Sequence, residues 1–292
     1  MKPLTIKEIQ ETSTEILVYI DNICRQNNIE YSIYYGSLIG VERHQGYIPW
    51  DDDLDIVLTR PNYDRLINIL SKDKNYLLLS LETRKNYRYT FAKLVDTRTC
   101  VKSKQFYNSE DPELGVFVDI FPIDGFPTTS SERLDFGRQC ESYRENMLAT
   151  LNNSYAISKS RWKAYLKRVL LYPRYRKLLK QGDYDFWKRK FMDKVTTYPI
   201  ESSIECGYIE FINEEWGVFP KEWFDHYEDV LFAGNKVRAI KDRKLFLSLR
   251  YGNYMELPPM SEQVTHHPSL VFTPRSCTKT SAARSLDTAR AP

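Results

Sequence analysis

Two aspartates at the head of an apolar run, Asp53-Leu54-Asp55-Ile56-Val57-Leu58, constrain this chain more than any other stretch. If the run is a strand, alternate side chains share a face. Asp53 and Asp55 then project together, while Leu54 and Ile56 point into the core. Carboxylates that close repel unless a cation lies between them, and hard oxygen donors suit Mg²⁺ or Mn²⁺. Gly36-Ser37 closes an earlier apolar run, Tyr31 to Tyr35, read as the first strand. A small-residue turn there offers backbone N–H groups and a hydroxyl where a phosphate can lie. An isolated D-x-D is usually a solvated turn. Here Pro49 and Trp50 stiffen the entry and the carboxylates open an apolar strand, so the pattern points to metal-assisted phosphoryl or nucleotidyl transfer.

A second run, Val116-Phe117-Val118-Asp119-Ile120-Phe121-Pro122, buries a carboxylate among apolar residues. An unpaired carboxylate is costly there, so Asp119 requires a metal, a cation or a proton, unless it caps a turn. Asp124, in Ile123-Asp124-Gly125, reads as a turn former and the fallback third carboxylate. Lys93, within Phe91-Ala92-Lys93-Leu94-Val95, either reaches a phosphate as a point charge or snorkels from an edge strand. Arg43 and His44 either meet pyrophosphate and acceptor or decorate a short surface helix.

The chain of 292 residues can bury a sizeable core, and its net charge of +3 is too weak to imply nucleic acid. Cys24, Cys100, Cys140, Cys206 and Cys277 are odd in number, scattered and without a C-x-x-C pair. That pattern argues against a disulfide framework or a zinc finger, and with no apolar signal core it predicts a cytoplasmic protein.

Thr5-Ile6-Lys7-Glu8 reads as a capping box that opens a helix with Ile9, Ile16, Leu17, Ile20 and Cys24 on one face. Pro61 sits where a helix tolerates it, followed by strands at Tyr76 to Leu81 and Tyr87 to Val95. From about 130 to 200 the pattern is helical, with Leu134, Cys140, Tyr143, Met147 and Leu151 on one helix face and another helix over Tyr184 to Val195. Between them, Lys159 to Lys180 carries nine basic residues and no acidic one, interleaved with Trp162, Tyr165, Leu166, Val169, Leu170 and Tyr172 and broken or kinked at Pro173. Such a helix either rests on an anionic membrane surface or packs on the core by its apolar side. Nucleic acid could use the same charges, but no nucleic-acid motif accompanies them. Val230 to Ile240 reads as a hairpin turning at Gly234-Asn235, and Leu245, Phe246 and Leu249 as a helix ended by Gly252. Residues 1–272 are expected to form one domain with a helical insertion at about 130–200, and 273–292 a disordered tail.

The longer string Gly36-Ser37-Leu38-Ile39-Gly40, Arg43-His44, Gly46-Tyr47-Ile48-Pro49-Trp50-Asp51-Asp52-Asp53-Leu54-Asp55 resembles the signature of the LicD family. Phe91 to Asp96 and Tyr251-Gly252-Asn253-Tyr254 with Pro258-Pro259 and His266-His267 extend the resemblance to about residue 268. The family includes phosphorylcholine transferases acting on lipopolysaccharide or teichoic-acid glycans, with fukutin and fukutin-related protein as relatives that transfer ribitol phosphate. The resemblance implies an α+β, nucleotidyltransferase-like fold: a small mixed sheet wrapped by helices from both chain ends. It also implies a divalent metal at Asp53, Asp55 and Asp119, with Asp119 as metal ligand or base. Gly36, Ser37, Arg43, Lys93, Trp50, His266 and His267 would face the donor. The implied reaction moves phosphocholine from CDP-choline to a glycan hydroxyl, on an acceptor built on a lipid at the inner membrane face. Choline needs aromatic faces, for which Tyr35, Tyr47, Trp50 and Phe126 are candidates. Ribitol or another sugar phosphate, ordinary nucleotidyl transfer, and a non-catalytic membrane-surface protein are the alternatives.

Overall fold

The computed structural model describes residues 2–103, 113–151, 156, 158, 160–265, 267 and 270–275. The chain starts with α1 (Ile6–Gln26), opened by the Thr5/Glu8 capping box and burying Ile9, Ile16, Leu17, Ile20 and Cys24. Strand β1 (Ser32–Ile33) leads at once into α2 (Tyr35–His44), then β2 (Asp55–Thr59) and α3 (Arg60–Leu70), with Pro61 in its first turn. Four strands follow: β3 (Leu77–Leu79), β4 (Ala92–Asp96), β5 (Thr99–Ser103) and the long β6 (Val116–Phe126). Helices α4 (Ser130–Thr150), α5 (Arg161–Gln181) and α6 (Tyr184–Val195) come next. Short strands β7 (Glu205–Gly207) and β8 (Phe219–Pro220), the hairpin β9 (Tyr227–Phe232) and β10 (Asn235–Ile240), α7 (Arg243–Tyr251) and β11 (Leu270–Pro274) complete it.

The main sheet runs β1-β2-β6-β4-β3, and the α+β expectation holds. Every residue of β2, β4 and β6 is buried, so these strands read as continuous apolar runs instead of alternating ones. β2 and β6 are parallel; the other neighbours on this path are antiparallel. The far end of β6 continues past the sheet to pair with β7. Among the described residues, no helix is long and apolar enough to cross a membrane.

Several local expectations change. The first strand is shorter than Tyr31 to Tyr35, because Tyr35 adopts φ +44° and turns the chain into α2. Gly36 and Ser37 therefore lie in the first helical turn, not in a loop ahead of it. A Cβ on Gly40 would come within 2.1 Å of the Gly46 carbonyl oxygen, so only glycine lets α2 lie against that backbone. Strand β4 begins at Ala92, not Tyr87, and lies between β3 and β6; Lys93 is thus interior and cannot be an edge-strand lysine. Asp124 lies inside β6, where Arg60 grips it through two hydrogen bonds of 2.7 Å; it is a buried ion pair and no turn former. The β9–β10 turn uses Ala233 and Gly234, at φ +48° and +79°, one residue earlier than expected. Helix α5 continues through Pro173. Leu134 of α4 is exposed, as are Leu245 and Leu249 of α7, where Phe246 and Leu247 are buried instead. The C-terminal segment stays ordered beyond 272, because β11 pairs with β5 as far as Pro274. The remainder of the expected tail, 276–292, lies outside the described residues.

Candidate active site

The parallel register sets Asp55 of β2 opposite Asp119 of β6, so their side chains share one face of the sheet. Asp53, two residues before Asp55, joins them: one carboxylate oxygen from each lies within 4.8 Å of the others. The backbone holds this approach. The Asp119 N–H donates to the Leu54 carbonyl at 2.9 Å, and the Asp55 N–H donates to Ser37 Oγ at 3.1 Å. Ser37 thereby fixes the D-x-D strand onto α2, a positioning task distinct from the phosphate contact expected of it. From α1, the Gln10 side-chain amide donates to the Asp51 carbonyl at 2.7 Å and steadies the same loop. A Cβ on Gly36 would meet Asp51 Oδ2 at 3.2 Å, so α2 and the acidic loop approach closely.

Burial and neighbouring negative charge push Asp55, Asp119 and Asp51 toward protonation. Asp55 is raised well above the usual range by burial, then by Asp53 and Asp119. Asp119 is raised to about 6 by burial, against the pull of Lys93. Asp51 is pushed up to about 7 by burial and its neighbours Asp53 and Asp52. Lys93, opposite Asp119 in the β4–β6 register, donates to Asp119 Oδ1 at 2.6 Å. Its ammonium lies 3.7 Å from the Phe117 ring centroid and 4.9 Å from those of Phe91 and Tyr89. His267 arrives from the distant C-terminal segment that β11 anchors, and its N–H donates to Asp52 Oδ1 at 3.1 Å. Burial opposes charge on this imidazole, yet Asp52, Asp53 and Asp119 together raise its pKa. Three buried carboxylates beside one lysine form a cluster of oxygen donors that could hold a hard divalent cation.

The triad opens onto a cavity of about 550 Å³ whose lining includes Gly36, Lys93 and His267. Beside the carboxylates stands an aromatic wall, for Phe121 follows Asp119 by two residues on β6 and projects from the same face. Phe91 stacks on Phe121 with centroids 4.4 Å apart, Tyr208 meets Phe121 edge-on at 5.1 Å, and Tyr35 meets Phe121 edge-on at 5.4 Å. Glu210 lines the same wall and, with Tyr208, contacts the Thr90 hydroxyl. Arg250 also lines the cavity, with its guanidinium 3.5 Å from the Trp216 ring centroid.

Of the residues expected at the donor, Gly36, Lys93 and His267 line the cavity, and Tyr35 does so among the aromatic candidates. Arg43 does not. Its guanidinium donates to the carbonyls of Tyr254 and Glu256 at 3.1 and 3.0 Å, clasping the C-terminal loop to α2. Trp50 packs partly buried against the core instead of lining the cavity. Tyr47 packs on Phe232, and Phe126 on Phe136. His266 lies outside the described residues. Sequence reasoning missed Arg250, Glu210 and the wall of Phe91, Phe121 and Tyr208, which come from four separate segments. Arg250 alone had a local signal, since it directly precedes the Tyr251-Gly252-Asn253-Tyr254 segment.

Comparison with known proteins agrees with this arrangement. Residues 28–152 match the LicD/FKTN/FKRP nucleotidyltransferase domain, a span that holds all three aspartates. The chain is 30% identical over 287 residues to the lipopolysaccharide cholinephosphotransferase LicD of Haemophilus influenzae, covering 91% of this chain and 97% of that protein. It is also 30% identical over 125 residues to an uncharacterised protein of Rickettsia typhi, covering 43% of this chain and 36% of that one. An uncharacterised protein of Rickettsia prowazekii is 39% identical over 69 residues, 24% of this chain and 23% of that one. With near end-to-end similarity to a LicD protein and the family's domain centred on the aspartate cluster, this chain belongs to the LicD family.

Proposed function

We propose that this chain transfers phosphocholine from CDP-choline to a hydroxyl of a cell-surface glycan, with lipopolysaccharide the first acceptor to try. The observation that carries the reading is a single cavity lined both by the carboxylates with Lys93 and by the adjoining aromatic wall with Glu210. A quaternary ammonium favours aromatic faces and a nearby carboxylate. A polyhydroxylated alditol would want hydrogen-bonding groups where Phe91 and Phe121 stand. The end-to-end similarity to a LicD cholinephosphotransferase supports the same choice.

In this reading Asp53, Asp55 and Asp119 hold Mg²⁺ or Mn²⁺, which when bound would offset charge on the pyrophosphate and the departing CMP. Lys93 adds positive charge on the β4 side, and the first turn of α2 turns its N-terminal dipole toward the phosphates. The acceptor hydroxyl oxygen bonds to the choline-bearing phosphorus, and the bond from that phosphorus to the CMP oxygen breaks. CMP leaves with the electron pair. The hydroxyl proton passes to a carboxylate oxygen of Asp119, which sits in the same cluster beside Lys93. The free thiols of Cys24, Cys140 and Cys206 suit a reducing compartment, so we place the reaction in the cytoplasm.

The test is Mg²⁺-dependent CMP release from CDP-choline and from CDP-ribitol, with lipopolysaccharide as acceptor and phosphorus NMR of the glycan product. Choline-specific release, with the phosphodiester on the glycan and loss in Asp55→Ala, is the expected result. Release from CDP-ribitol alone would overturn the donor, and a product retaining the nucleotide would overturn the reaction.

A further inference from the structure

Helix α5 has no buried residue along its whole length. One side of it rests on α4: Leu171, Tyr175 and Leu178 border a groove of about 420 Å³ against Glu141, Glu145 and Leu148. At about 100° per residue these three share one face. The opposite face carries Trp162, Tyr165, Leu166, Val169 and Pro173, an i, i+3, i+4, i+7, i+11 stripe. That stripe is open to solvent, with Trp162 71%, Tyr165 61% and Val169 54% exposed, and Trp162 stacks on Tyr165 at 6.1 Å. The helix thus has two apolar faces, one against α4 and one exposed.

The charges decide what fits the second face. Lys163 and Lys167 flank the stripe on one side, Arg161 and Arg168 on the other, while Arg174 lines the groove against α4; the helix contains no acidic residue. A partner helix would ordinarily alternate charge, whereas long basic side chains bordering an apolar stripe can lie flat with their heads raised to phosphates. Trp and Tyr at the stripe's leading end are the residues that settle at a bilayer–water boundary. We propose that the Trp162–Pro173 face of α5 is a docking surface for an anionic bilayer, lying in the interface plane without crossing it. The inference stands on α5 alone and needs no particular donor or acceptor.

The experiment is vesicle flotation of the full-length chain, with phosphatidylcholine vesicles compared with ones containing about 30% phosphatidylglycerol. Partitioning should favour the anionic vesicles at least about tenfold and weaken as salt is raised. The double variant Leu166→Asp/Val169→Asp should abolish it. Lys163→Gln/Lys167→Gln should lower it by roughly thirtyfold, taking about fivefold per basic side chain near such a surface. All four positions are exposed and none touches the cavity, so circular dichroism and CMP release with a soluble acceptor should stay unchanged. If the apolar variant does not fold, the charge variant decides alone. Equal binding to both vesicle types, or parent-like binding by the variants, would overturn the proposal. So would a dimer in light scattering that the same substitutions dissolve, or RNA binding without vesicle partitioning.

Discussion

Asp55 and Asp119 face each other across the one parallel pair of the main sheet path, in direct register, with their carboxylates buried on the same side. Neither strand could bury its acid alone at tolerable cost. The pair is tolerable because Lys93 lies opposite Asp119 and because a divalent cation would neutralise the rest.

The first prediction separates chemistry from stability. If Asp55 acts as proposed, Asp55→Asn should lower turnover by roughly a thousandfold or more, since it would remove a metal-ligand charge worth several kcal/mol in the transition state. In EDTA the same change should raise Tm by a few degrees, because it relieves repulsion against Asp53 and Asp119. Paired kinetics and melting curves read both effects. A variant less stable than the parent in EDTA would mean the carboxylate is structural.

The second concerns pH. Asp55 and Asp119 have folded pKa values above the ordinary carboxylate range, Asp119 at about 6. For raised acids the folding contribution is present in full below the unfolded pKa, near 4, and is lost as pH climbs through the folded value. The metal-free protein should therefore lose Tm at this site between pH of about 4 and 7. Mg²⁺ should bind more tightly at the upper end, releasing protons, and restore Tm there most strongly. Melting curves with EDTA or Mg²⁺ at two pH values, and calorimetry in two buffers, check the sign.

Lys93→Met should leave Asp119 without its cation. Breaking a buried pair in this way costs about 3–5 kcal/mol, measurable by urea denaturation. Adding Asp119→Asn should recover part of that loss. A fully additive double variant would show that the 2.6 Å contact carries no coupling.

Asp124 provides the contrast. It is clamped by Arg60 at the other end of β6, so Asp124→Ala should cost about 3–5 kcal/mol of stability and leave turnover per folded molecule near that of the parent. A large fall in turnover with an unchanged urea midpoint would return Asp124 to the reacting centre.

What could be read in the sequence was the part written locally. The Asp53/Asp55 alternation, the costly acid at Asp119, the Thr5 capping box and the bounds of α6 each depend on near neighbours in the chain, and each was found. What escaped depends on partners far apart in sequence. Arg43 looked like a phosphate clamp until the Tyr254 and Glu256 carbonyls arrived from the other end of the chain. Lys93 stayed open between a phosphate contact and an edge-strand lysine because nothing local tells that β4 runs between β3 and β6. Trp50 and Tyr47, chosen as choline contacts for proximity in sequence, face the core, while the aromatic wall is assembled from the residue just before β4, from β6 and from the segment after β7. Tyr35 reversed the expected turn because an aromatic residue at positive φ is not an event that propensity foresees.

The strand order has a consequence for the newborn chain. Asp53 and Asp55 leave the ribosome long before Asp119, and β3 and β4 emerge in between. Until β6 takes its place beside β2, the first two acids have no third ligand and no Lys93–Asp119 pair near them. His267 comes later still, near the end of synthesis. A nascent chain halted before β6 would thus hold only two of the three carboxylates of the cluster, which is completed when β6 joins the sheet.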